Sequence, residues 1–182
     1  MNPSRNRYAA TIALSLALGL TACASTRTQK SMGEGVDDAV IATRVKSALI
    51  GDPATKARDI DVAVFKGRVQ LNGFVDSAPE RAEAVSVTAK VNGVASVENN
   101  LRLKGEERSA GEAIDDVTLS TKVKAALALD ERTKAHQIDV QTRNGVVLLG
   151  GFVDSATART AATEVAKGVH GIASVDNQLT VK

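Results

Sequence analysis

The sequence predicts an α+β protein of two tandem α-β-β-α-β domains, each laying two helices on one face of a small three-stranded mixed sheet. Three observations carry this. First, Asp37 to Lys104 aligns without a gap on Asp115 to Lys182 at a constant offset of 78, with 34 of 68 positions identical, which marks a duplication. Second, each copy passes from an apolar period near 3.6 to an alternation of period 2 and back again. Third, apolar residues make up 43% of the chain and charged ones 24%, with aromatics at 2% and no Trp. The chain can bury a core, but that core must be small and built from Val, Leu, Ile and Ala.

The first element is an export segment. Arg5 and Arg7 precede a twelve-residue apolar run, Ala9 to Leu20, the charge and length of a secretory signal peptide covering 1–22. A membrane-spanning helix needs about 20 apolar residues. The run ends in Leu20-Thr21-Ala22-Cys23, similar to the bacterial lipobox, in which the cysteine is acylated and becomes the new N-terminus. Cys23 is the single cysteine of the chain and the expected site of lipid attachment. Three acyl chains anchor permanently where one anchors reversibly. Cleavage by the general signal peptidase at Ala22 or Ala24, leaving a soluble periplasmic protein, is the alternative. Ala24 rather than Asp follows the cysteine, which in the sorting pattern of Gram-negative bacteria points to the outer membrane. Residues 23–36 are polar and aperiodic, a flexible tether with a reach of roughly 20 Å.

Within each copy, Ile41, Val45, Ala48 and Leu49, matched by Leu119, Val123, Ala126 and Leu127, fall on one face of a helix. The pairs Asp37-Asp38 and Asp115-Asp116 stand where carboxylates would cap its start. Ile60, Val62 and Val64, then Val69 and Leu71, alternate as half-buried strands; Asn144-Gly145, with Lys66-Gly67 as its counterpart, is the hairpin turn between them. Ser77-Ala78-Pro79-Glu80 reads as a capping box opening a second helix, buried along Ala84, Val87, Val91 and Ala162, Val165, Val169, with Gly93 and Gly171 placed to stop it. Val97, Leu101, Leu103 and Val175, Leu179, Val181 alternate as a third strand. Gly105 to Ile114 is a charged, Gly-containing linker between domains 37–104 and 115–182.

Charge excludes one class of partner. From Cys23 onward there are 21 basic and 21 acidic residues, so no basic stripe is present to neutralise nucleic-acid phosphates. Catalysis has little support. His136 and His170 align with Arg58 and Asn92 in the other copy and read as surface residues; two histidines and an acylated cysteine do not complete a zinc site. Asp76-Ser77 and Asp154-Ser155 read as helix caps rather than as parts of a nucleophile. No metal, cofactor or catalytic residue is expected.

The paired Asp, the hairpin, the glycine before Phe-Val-Asp-Ser-Ala and the closing G-[VI]-x-S-V-x-N-x-L resemble the BON domain in both copies. The resemblance implies a periplasm-facing envelope protein. It maps the family's central glycine onto Gly73 and Gly151, where a Gly within a strand permits a bulge or a close backbone approach. In the lipoprotein type of the family the second copy binds anionic phospholipid through its first helix, here Asp116 to Asp130, making Lys122 and Lys124 the expected contacts at about 1 kcal/mol each. No Trp or Tyr stands in this helix to sit at a membrane interface. The expected function is a non-enzymatic, tethered interaction module contacting phospholipid or envelope proteins and supporting the outer membrane under osmotic stress. A stress-induced periplasmic chaperone binding unfolded clients is the alternative.

Overall fold

A computed structural model describes residues 32–55, 59–105 and 110–182. The signal segment, Cys23 and the start of the tether lie outside the described residues. Copy 1 runs α1 (Met32–Gly51), β1 (Ile60–Phe65), β2 (Arg68–Val75), α2 (Ala78–Ala89) and β3 (Ser96–Leu103). Copy 2 runs α3 (Ala110–Leu129), β4 (Asp139–Arg143), β5 (Val146–Gly150), β6 (Phe152–Val153), α4 (Ala156–Lys167), β7 (Ser174–Asn177) and β8 (Thr180–Val181). In copy 1 the order is β1-β2-β3, with β1 antiparallel and β3 parallel to the central strand. Copy 2 repeats it as β4-β5-β7, and its central strand continues after a break at Gly151 as β6, paired with β8. The α+β class and the mixed three-stranded sheets are as the sequence predicts.

Alternation along the strands decides which face is buried. In copy 1, Ile60, Val62, Val69, Leu71 and Leu101 point to one side, where Ile41, Val45 and Leu49 of α1 and Ala84 of α2 close the core. In copy 2 the equivalents Ile138, Val140, Val147, Leu149 and Leu179 meet Val123, Leu127, Ala158, Ala162 and Ala166. Val45, Val69, Leu71, Val123, Val147 and Leu149 are completely enclosed.

Two local readings need correction. The Asp pairs do not start the first helices, which begin several residues earlier. Asp38 and Asp116 are instead buried, and each carboxylate grips the hairpin turn of its own copy. Asp38 accepts from the N–H groups of Lys66 and Gly67 at 2.8 and 2.9 Å, and Asp116 from those of Asn144 and Gly145 at 2.9 and 3.0 Å. All four turn residues have positive φ, so their N–H groups turn away from the ladder and need this acceptor. The second helices also stop sooner than the glycines implied, at Ala89 and Lys167. Gly93 and Gly171, each at φ +97°, pass close to Ile41 and Leu119 instead. The first helices have a stop that the sequence reading overlooked: the hydroxyls of Thr55 and Thr133 donate to the carbonyls of Leu49 and Leu127. The capping box forms, with

Candidate functional site

With the helices on one side of each sheet, the outward residues of the strands are left for something else, and the two copies use them to meet. Asp61 and Phe65 of β1, Gln70 and Asn72 of β2, and Glu98 and Arg102 of β3 face Asp139, Gln141, Leu148, Gly150, Phe152, Asp176 and Thr180 of copy 2. Several contacts come in pairs related by exchanging the copies, as in a two-fold dimer. Arg102 donates to Asp176 at 2.8 Å, and Thr180, which holds the place of Arg102, donates to Glu98, which holds the place of Asp176, at 3.0 Å. The rings of Phe65 and Phe152 lie 5.7 Å apart, and Arg68 stands 5.3 Å from the centre of the second ring.

The centre of the interface breaks this symmetry. Gln70 and Asn72 are fully enclosed, whereas their counterparts are Leu148 and Gly150. Gln70 bridges the split in copy 2: its carbonyl oxygen accepts from the N–H of Gly151 at 2.7 Å, and its amide donates to the carbonyl of Gln178 at 3.2 Å. A side-chain amide thus stands between two backbone groups that a continuous parallel ladder would join directly. The same amide donates to Glu98 and Thr180 at 2.9 and 2.8 Å. Beside it, Asn72 fills the space over Gly150, where a Cβ would lie 2.2 Å from the Asn72 Cγ. Sequence reading missed these residues, although the departure of positions 70 and 72 from the otherwise repeated strand was the available signal.

Burial also shifts charge. Asp139 is pushed up to about 6, first by burial and then by the like charge of Asp61, against the pull of Lys46 and Lys124. Glu98 is lowered: burial opposes this, but hydrogen bonds from Arg68, Gln70 and Thr180 outweigh it. Beside the interface lies an open cleft of about 320 Å³ whose walls include Asp59 and Phe74 of copy 1 and Val117, Lys124 and Arg143 of copy 2.

The residues singled out from sequence fall as follows. Gly73 and Gly151 sit mid-sheet at φ +136° and +119°, where a Cβ would stand 2.0 Å from the Asp59 carbonyl oxygen and 2.2 Å from that of Gln137. The central strand therefore passes hard against the chain entering the first strand, which only glycine allows. Lys122 and Lys124 are both exposed on α3 but, two residues apart, they point in different directions, about 160° from each other around the axis. Lys124 lines the cleft beside Val117, while Lys122 shares the outer side with Leu129. Those two apolar residues are 67% and 86% exposed. His136 and His170 are exposed. Asp76 pairs with Lys104, and Asp154 with Lys134 and Lys182; hydrogen bonds from those two lysines hold Asp154 well below the usual carboxylate range. Among the described residues no cluster of metal-ligating side chains occurs, and no helix is long and apolar enough to cross a membrane.

Two helix-on-sheet modules of identical topology, joined through their bare sheet faces and without a convergent catalytic cluster among the described residues, define a tandem-module protein whose chemistry is that of contact surfaces. The chain belongs to the BON domain family, which it matches over residues 37–105 and 115–182. It is 36% identical over 152 residues to "Osmotically-inducible protein Y" of Escherichia coli (strain K12), covering 83% of this chain and 76% of that protein. It is 33% identical over 147 residues to the "21 kDa hemolysin" of Actinobacillus pleuropneumoniae, covering 80% and 75%. It is 30% identical over 147 residues to "Outer membrane lipoprotein DolP" of Haemophilus influenzae, again covering 80% and 75%.

Proposed function

We propose that this protein is a non-enzymatic envelope lipoprotein, held at the periplasmic side of the outer membrane by acylated Cys23, whose BON pair contacts anionic phospholipid through α3 and supports the envelope under osmotic stress. The names of the relatives support the compartment and the stress context. The observation that carries the contact is the exposed strip of α3, edged by Lys122 on one side and Lys124 on the other and carrying the bare side chains of Val117 and Leu129. Apolar side chains between lysines suit a headgroup layer, where each lysine near an anionic surface contributes about 1 kcal/mol. That is weak binding for a free domain and useful binding for one already tethered. The chaperone alternative finds less support, because the outward sheet faces that could receive a client are turned onto each other.

Co-sedimentation with vesicles tests the contact. Binding to vesicles containing anionic lipid and not to neutral ones, lost in the double variant Lys122→Glu/Lys124→Glu, is the expected result. Equal binding by the double variant would remove α3 from the account. Metabolic labelling with a fatty acid tests the anchor: wild type takes up label and Cys23→Ser does not.

A further inference from the structure

We propose that the docking of the two copies is a proton-governed clasp, firmest when Asp139 carries a proton and loosened when it ionises. The geometry begins with the pseudo-two-fold exchange. Asp61 and Asp139 hold the same position in their copies, on the outward faces that meet, so docking brings two carboxylates towards one another. Gln141 donates to Asp61 at 2.7 Å and so supports its ionised form. The exchanged partner of Asp139 would come from position 63, which is Ala63 and has nothing to donate. One carboxylate of the pair is thus provided for and the other is not.

The charged groups facing Asp139 are Asp61 from β1, Lys46 from α1 and Lys124 from α3; its ladder neighbour on β5 is Gly150, which brings no charge. Burial and Asp61 outweigh the two lysines, and the carboxyl rises to about 6. Separation of the copies returns it to water and to the ordinary carboxylate range. The docked form therefore holds its proton more tightly, and docking is favoured at low pH. As pH rises from 4 the separated form ionises first, so docking weakens until Asp139 ionises in place as well, near 6. Across that window the docking equilibrium falls on the order of a hundredfold.

Opening strands little. With Gln70 withdrawn, the Gly151 N–H and the Gln178 carbonyl can pair directly, and the Arg102–Asp176 pair is already half-exposed. Such a polar interface resembles transient contacts between domains rather than a core. Opening would present Phe65, Leu148 and Phe152, covered while the clasp is shut.

The test follows the side-chain carboxyl of Asp139 by ¹³C NMR titration in the full chain and in two variants, with circular dichroism confirming that each is folded. Gly150→Val forces the copies apart against Asn72, and Ala63→Gln supplies the missing donor while leaving every other group in place. A wild-type midpoint near 6 that drops towards the ordinary range in either variant is the expected result, since either drop ties the proton to the interface. An ordinary midpoint in the wild type, or one near 6 unmoved by both substitutions, would overturn the proposal.

Discussion

Copy 1 and copy 2 share half their residues and every element of topology, yet the central strand of copy 1 runs unbroken from Arg68 to Val75 while that of copy 2 splits at Gly151. The glycine is common to both, so the glycine is not the cause. The difference is what lies against it. Gln70 enters the ladder of copy 2, and Leu148, at the corresponding place, has no amide with which to enter the ladder of copy 1. Duplicated domains thus retained their core residues and diverged on the outward faces, where one side became the insert and the other the receiver.

Several substitutions sharpen that comparison. The largest effects are expected where the copies are alike. Gly73→Ala and Gly151→Ala each push a Cβ into a backbone carbonyl at positive φ and should cost about 4 kcal/mol in urea unfolding, by overlap and strain together. Similar losses in both would show that the strand crossing is independent of docking. Next come Asp38→Ala and Asp116→Ala, which remove the acceptor of two turn N–H groups apiece; about 3 kcal/mol is expected for each.

The copies should part company at the interface. Gly150→Ala overlaps Asn72 and should weaken docking by about 2 kcal/mol, measured by fluorescence energy transfer between labels on the two copies. Asn72→Gly should restore much of the loss, and failure of that rescue would break the assignment of Asn72 and Gly150 as partners. Gln70→Leu gives copy 1 the residue of copy 2. It should cost about 1 kcal/mol of docking, and Gly151 should then pair directly with Gln178, visible as a change in the amide resonance of Gly151. The smallest effect on stability, within about 0.5 kcal/mol, is expected for Lys122→Glu, whose consequence belongs to vesicle binding.

How much of this was legible depended on how far apart the interacting residues lie in sequence. The helix faces, the strand alternation and the Asn144-Gly145 turn are local patterns, and each stands where its period placed it. Asp38 and Asp116 were assigned to helix capping because acidic residues ahead of an apolar face are a local signal; their turn partners lie 28 and 29 residues away. Lys122 and Lys124 read as a pair along the chain, and the helical repeat turns them apart.

By itself, then, the sequence determined the duplication, the α+β class, the buried faces and the glycine crossings, because each rests on periodicity or on the allowed φ of one residue. Only the tertiary structure decided that the two bare sheet faces close on one another, that Gln70 stands in for a backbone bond and that Asp139 lacks the donor Asp61 has. Those outcomes depend on groups about 80 residues apart, and pairing over that distance is settled by shape and by the need to satisfy buried polar atoms, which leave no repeat in the chain for a reader to find.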